Sequence, residues 1–434
     1  MFRNRRKPVV DHEVLTRNMF QSRDDEWKRL RMIVSPTFTS GKMKKIFELM
    51  GECVNDLMNN VEGYKRNNSN EVNAKELFGN LTMDVIARCA FATNTNSHRD
   101  PKNPFVENAR KAMDFKMIKI GMILLMPRWL TNAFGIKTMT DDKANEFFVD
   151  VVRHILKLRR DNPSKKYNDF LQLLIEAQAE QAEKETDSQD ISLSQVKASQ
   201  GLQLNQMKLT ETEIIAQSWL FFLAGYETTA TTLSTLCYFL AVNQECQARL
   251  FEEVKAAFMQ QERSNSNNNS DESQRYLSYE ILNNHMPYLD ACISESLRLL
   301  PPLSNLEREV KEDYLIPNSD PPIVLPKGAM ISVSVLGIHH SEEYYPNASQ
   351  FNPDRFLPEN KHLLHPYTFL PFGAGPRNCI GMRFALLEVK LCMTQFLSKY
   401  KLVKGPNTET FAELQNDRSV IGVNKITVAI EKRD

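Results

Sequence analysis

Charge of one sign is not in excess here: 54 Lys+Arg balance 54 Asp+Glu over 434 residues. That excludes a general nucleic-acid binder, which carries a basic excess or a clear basic stripe. Long hydrophobic runs are also missing. The most apolar stretches, Ile214–Gly225 and Gly121–Met126, are broken by Gln217 or are short, whereas a bilayer-spanning helix takes roughly 20 apolar residues. No hydrophobic segment follows Met1-Phe-Arg-Asn-Arg-Arg-Lys7, so a secretory signal is not expected there. The seven cysteines are odd in number and contain no Cys-x-x-Cys pair, a pattern that fits a reducing compartment better than a disulfide framework. Proline is absent between Pro163 and Pro287, where the only glycines are Gly201 and Gly225. With 42% hydrophobic and 25% charged residues, bulk disorder is excluded as well.

The length allows about three domains, but no linker divides the chain. Helical patterns dominate its first part, as in Phe147–Arg160 and Asp169–Gln181. The polar tracts Ala182–Gln206 and Gln260–Gln274 read as solvated loops or frayed helix ends. Later, Ile323–Val335 reads as two short strands joined by a turn at Pro326-Lys327-Gly328. A helical run is expected from Ile380 to about Lys399, and a strand-like tail from Arg418 to Ile430. The fold class is mainly α with minor β.

The most informative segment is Pro371-Phe-Gly-Ala-Gly-Pro-Arg-Asn-Cys-Ile-Gly381. Gly373, Gly375 and Gly381 let the backbone approach something flat and bulky. Cys379 stands at the entrance of a helix, whose partial positive charge and free amides favour a thiolate, with Arg377 nearby. A zinc site lacks further ligands at suitable spacing. A nucleophilic cysteine paired with His362 or His365 would leave the glycines unexplained.

A second constellation lies inside a long helix that opens on the capping box Thr210-Glu-Thr-Glu213 and runs to about Val242. Its middle reads Ala224-Gly-Tyr-Glu-Thr-Thr229. Leu220, Ala224 and Thr228 recur every four residues and share a face, and the carboxylate of Glu227 flanks the Thr228 hydroxyl. Gly225 can also serve helix packing, and Thr228 can bond back to its own helix. Glu295-Ser-Leu-Arg298 places a carboxylate and a guanidinium on one helix face.

Phe372-Gly-x-Gly-x-Arg-x-Cys-x-Gly381 resembles the haem-binding signature of the cytochrome P450 monooxygenases at all six defining positions, a coincidence of about one in 10⁵ at average residue usage. The resemblance runs from about Phe2 to Glu431. Glu26-Trp-Lys-Arg-Leu-Arg31, Ser35–Lys42 and Phe105-Val-Glu-Asn108 carry a likeness to the animal branch that oxidises drugs and steroids, to which thromboxane synthase is also similar.

The resemblance implies haem b as cofactor, with Cys379 as its metal ligand and Phe372 and Ala224 beside it. It also implies Arg377, Trp27, Arg31 and Arg308 at the haem propionates, with Arg5 a weaker candidate. By the same likeness, Thr228 and Glu227 relay protons to reduced dioxygen, with Ala224 and Gly225 leaving room for it. Glu295, Arg298 and Arg355 form a structural network that fixes the loop leading to Cys379.

The activity implied is insertion of one oxygen atom from dioxygen into a lipophilic substrate, with electrons from a flavin-containing NADPH reductase. That partner would dock on a basic surface of Lys28, Arg29, Arg383 and Lys390. The location implied is the cytosolic face of the endoplasmic reticulum membrane. Two other readings stay open: a haem-thiolate isomerase or dehydratase acting on a peroxide, and a non-catalytic truncated chain. The whole chain, residues 1–434, is expected to be one haem domain lacking the family's membrane anchor, first helix and first sheet strands, which would leave sheet edges and apolar surface uncovered.

Overall fold

A computed structural model of the chain describes residues 2–7, 12–65, 70–100, 102–162, 164, 167, 169–176, 208–268, 276–417 and 422–433. In chain order its elements are α1 (Asp24–Val34), α2 (Ser40–Asn60), β1 (Glu71–Asn73), α3 (Ala74–Phe91), α4 (Pro104–Met113), α5 (Met117–Leu125), α6 (Arg128–Ala133) and α7 (Asp142–Asp161). There follow α8 (Glu211–Val242), α9 (Gln244–Asn268), α10 (Tyr279–Asn284), α11 (Pro287–Leu299), β2 (Asn305–Glu309), β3 (Tyr314–Leu315), β4 (Val324–Leu325) and β5 (Met330–Ser334). The last are α12 (Val335–His339), α13 (Met382–Lys399), β6 (Tyr400–Val403), α14 (Phe411–Asn416) and β7 (Thr427–Lys432).

Helix α8 is the axis of the molecule. Thr210 accepts from the Glu213 amide while the Glu213 carboxylate accepts from the Thr210 amide, so both halves of the expected capping box are present. At 1.5 Å per residue its 32 residues span about 48 Å. It is apolar nearly all round, as a helix sheathed by others must be. Helix α3 lies along it and is buried almost as completely. Phe148 of α7 stacks on Phe222 of α8 with ring centroids 4.5 Å apart, and Phe105 of α4 meets Phe222 edge-on at 5.5 Å. On the other side α13 packs beneath α8, where Cys237 approaches Met393 at 3.7 Å.

Two expectations about strands change. The Pro326–Gly328 turn exists, but the strands flanking it do not pair with each other. β5 pairs antiparallel with β2 in the register Arg308↔Ile331, and β4 pairs with β3. The turn is instead tied back by Gly328 N–H donating to the Val310 carbonyl at 2.8 Å. The final strand starts only at Thr427 and lies between β1 and β6. Residues 418–421 lie outside those described, as do 177–207 and 269–275. Helix α9 continues to Asn268, through much of the tract Gln260–Gln274, so of the two readings given for it, loop or helix end, the described part is helix end. Among the described residues no helix is long and apolar enough to cross a membrane.

Glu388 on α13 is wholly buried, and its Oε1 has no hydrogen-bond partner. Burial pushes its pKa well above the carboxylate range. The folded state therefore holds a proton that the unfolded chain releases from about pH 4.5 upward, and stability contributed by this group falls as pH rises through that range. Glu388→Gln is expected to flatten the decline, by up to about 1.4 kcal/mol per pH unit, the limit for one proton. Denaturant midpoints of both proteins between pH 4.5 and 8 check this, and parallel curves would remove the claim.

Candidate active site

The glycine-rich loop is held by its own backbone. Cys379 N–H donates to the Phe372 carbonyl at 2.8 Å, and Gly373 N–H donates to that of Leu370 at 3.0 Å. Gly373 and Gly375 adopt φ of 70° and 74°, the left-handed region that other residues avoid. Phe372 rests on the core. Helix α13 begins at Met382, later than expected, so Cys379 lies just ahead of it and faces the amides of Gly381 and Met382.

Cys379 has an open surface although protein crowds it on most sides, as for a side chain lining a recess. Burial is the largest influence on its thiol and raises the pKa, outweighing those two amides, Arg31 and Arg5. Arg377, expected to help, is not among the main influences.

Four guanidinium groups from distant parts of the chain cluster on this side of the molecule: Arg5 and Arg31 act on the Cys379 sulfur, and Arg308 and Arg377 stand against those arginines. Arg5 precedes α1, Arg31 lies on α1, Arg308 on β2 and Arg377 in the cysteine loop. Burial, then mutual repulsion, lowers Arg5 to about 10 and Arg377 to about 9. The charges acting most strongly on these two are other arginines and, for Arg5, the Cys379 sulfur. Such a cluster is costly unless an anion joins it. Haem carries two carboxylates, an apolar macrocycle and an iron suited to a thiolate. The donor set fits that group.

Several members are already engaged. Arg377 donates to the carbonyls of Arg3 (2.8 Å), Met19 (3.1 Å) and Ser22 (2.8 Å), and its guanidinium lies 4.1 Å over the ring of buried Trp27. Two of its five N–H donors remain. Arg31 donates to the Asn378 carbonyl (3.0 Å) and Oδ1 (2.9 Å), which ties α1 to the residue before the cysteine. Among the described residues the Arg308 side chain donates only to the neighbouring Glu307 carbonyl, at 2.8 Å. Glu309 pairs bidentately with Arg23, each bond 2.7 Å, and its backbone N–H donates to the Asn4 carbonyl at 2.8 Å, which adds a bridge to the edge of β2. Residues 2–7 are thereby held against the site.

On α8 the expected face separates into two. Ala224 is exposed and Thr228 half-buried, beyond buried Leu220. The Thr228 hydroxyl donates to the Ala224 carbonyl at 2.7 Å. Glu227 turns to the other side, where Lys75 of α3 bridges its carboxylate and the Thr231 hydroxyl. The acid and the alcohol thus each bond elsewhere in this state. Gly225 serves packing, since a Cβ there would stand 2.8 Å from Ile86 Cδ1. Nothing in the spacing pointed to Lys75, because its partner lies 152 positions away.

The Glu295–Arg298 pair is completely buried, with both bonds at 2.7 Å. Arg355 approaches the same carboxylate at 3.4 Å, but its other bonds go to the carbonyls of Pro346 and Asn347. Two of the four supposed docking cations are occupied: Arg29 pairs with Glu213, and buried Lys390 pairs with Asp290 at 2.6 Å. Lys28 and Arg383 keep their surfaces.

A mainly helical fold that brings one cysteine beside a set of arginines has the donors that a haem-thiolate centre needs. Residues 1–425 match the family model for Cytochrome P450, and the chain belongs to that family. It is similar to cytochrome P450 3A12 of Canis lupus familiaris, 36% identical over 95% of this chain and 75% of that one. Lithocholate 6-beta-hydroxylase of Mesocricetus auratus is 33% identical over the same shares of each chain, 95% and 75%. The probable cytochrome P450 6a14 of Drosophila melanogaster is 35% identical over 91% and 73%. The protein is an oxidoreductase, a haem-b monooxygenase for lipophilic substrates that takes electrons from a redox partner.

Proposed function

We propose that Cys379 would supply the thiolate ligand of the haem and that Arg5, Arg31, Arg308 and the spare donors of Arg377 would hold the propionates beside Trp27. The observation that carries this reading is a group of guanidiniums, Arg377 buried and Arg5, Arg31 and Arg308 half-buried, that have one another as main electrostatic neighbours and of which Arg5 and Arg31 act on the Cys379 sulfur. When bound, the haem supplies the redox chemistry that activates dioxygen. The chain's own part is to hold the sulfur at the amides of Gly381 and Met382 and to neutralise the propionates. Apolar Leu220 and Phe221 flank the Ala224 face and exclude water from a lipophilic substrate. The Thr228 hydroxyl keeps lone pairs for a proton donor, and the Glu227 carboxylate, held by Lys75 on the far side of α8, would relay protons taken from solvent there. The test is the absorption spectrum of the reduced protein with carbon monoxide. A strongly red-shifted Soret band at one haem per chain is expected; haem without that shift would overturn the ligand assignment.

The same reading takes a flavin-containing NADPH reductase as donor, docking near Lys28 and Arg383, and the cytosolic face of the endoplasmic reticulum membrane as location. Helices α5 and α6 favour a lipid surface. Ile118, Leu125, Trp129 and Phe134 are 75%, 87%, 71% and 64% exposed, an apolar patch with an interfacial tryptophan. Trp27 and Trp219 are buried. A blue shift of tryptophan emission on adding phospholipid vesicles is expected in the wild type and absent in Trp129→Ala. Emission unchanged by vesicles in the wild type would remove α5 and α6 as the lipid face.

A further inference from the structure

The buried ion pair Glu295–Arg298 has to reach the cysteine loop through some side chain, and Arg355 does not do so. His339, the last residue of α12, does. It is fully buried, and its two ring nitrogens face opposite partners. Nε2 accepts the Leu370 N–H at 2.9 Å, so that nitrogen carries no proton. Nδ1 is then the protonated one, donating to the Arg298 carbonyl at 3.1 Å. Arg298 returns the contact, its Nη1 donating to the His339 carbonyl at 2.7 Å. Burial holds the ring neutral, with its pKa brought down to about 4, as an acceptor of the Leu370 amide must be. Leu370 in turn accepts from Gly373, and Phe372 accepts from Cys379. A continuous set of hydrogen bonds thus runs from Arg298 through His339 to the backbone of the cysteine loop.

We infer that His339 is a positioning residue for the Cys379 thiolate: it anchors the start of the ligand loop to the buried Glu295–Arg298 pair. This rests on Cys379 being the haem ligand. The reason for a histidine is specific. The site needs one acceptor and one donor about a ring apart, in a neutral group that also stacks on Phe369, whose ring centroid is 5.6 Å away.

His339→Phe keeps the ring and the stacking but leaves the Leu370 amide and the Arg298 carbonyl without partners. His339→Gln offers an amide oxygen to Leu370 and an amide N–H to Arg298. The first readout is the lifetime of the thiolate-type Soret band of the reduced carbon monoxide complex. H339F is expected to lose that band about tenfold faster than wild type, the scale of one buried donor left unsatisfied, and H339Q to restore most of it. The second readout is hydrogen exchange, expected to be about tenfold faster at the Leu370 amide in H339F with α11 unchanged. Equal lifetimes and equal exchange would overturn the inference.

If H339F does not fold, the wild type decides. A Leu370 amide exchanging as fast as that of exposed Tyr367 would overturn it. If the wild type itself shows no thiolate band, the ligand assignment fails, and the exchange experiment still tests the anchor.

Discussion

Cys379→Ala is expected to abolish monooxygenation while leaving the helical fold and its denaturation midpoint intact. The thiol lines a recess and fills no packed space, so its removal leaves no core cavity of the kind that costs stability. The arginines and the apolar walls remain, so haem is expected to stay bound. What would go is the electron-rich sulfur ligand that favours O–O cleavage in a haem-thiolate site. Changes one shell out from a metal ligand already cost about 10–100-fold, so loss of the ligand itself should exceed that, on the order of 10³-fold. The measurements are substrate turnover and the Soret position of the reduced carbon monoxide complex in the same preparation. Turnover within tenfold of wild type would sink the assignment.

The second large effect concerns stability. Arg298→Met would strand the Glu295 carboxylate, which has no solvent exposure. Its remaining contacts are the Asn352 amide at 2.9 Å and the more distant Arg355. Breaking a buried pair from one side costs about 3–5 kcal/mol, a large part of the roughly 5–15 kcal/mol that holds a domain together. The carbonyls of His339 and Gln350 would lose donors as well. Replacing both charges, as in E295L/R298M, removes the stranded carboxylate, and the double variant is expected to recover part of the loss. Urea denaturation of the three proteins measures it. A loss under about 1 kcal/mol in R298M would show that the pair is not a structural centre.

Local signals in the sequence were sufficient where neighbours along the chain set the structure. The Thr210–Glu213 capping box works through hydrogen bonds three residues apart, and Glu295 meets Arg298 one turn on. The cysteine loop needs Gly373 and Gly375 for backbone reasons that are themselves local. Expectations changed where the partner was remote. β4 and β5 look like a hairpin from their spacing, yet each found a different strand. Lys390 and Arg29 look like surface cations and are paired with carboxylates on other helices. Gly225 resembled a gap for a ligand and is also the point where Ile86 presses on α8.

By itself the sequence determined the long helix that opens on the Thr210–Glu213 capping box, the loop that offers Cys379, and the residue types that chemistry at that sulfur demands. Tertiary structure alone decided which charges meet there. Arg5, Arg31, Arg308 and Arg377 converge from four segments, Lys75 takes hold of Glu227, and His339 ties Arg298 to the ligand loop. The reason is physical: local hydrogen bonds and backbone angles depend on residues a turn apart, whereas the burial that shifts a pKa or orders a guanidinium depends on which surfaces the whole chain packs together.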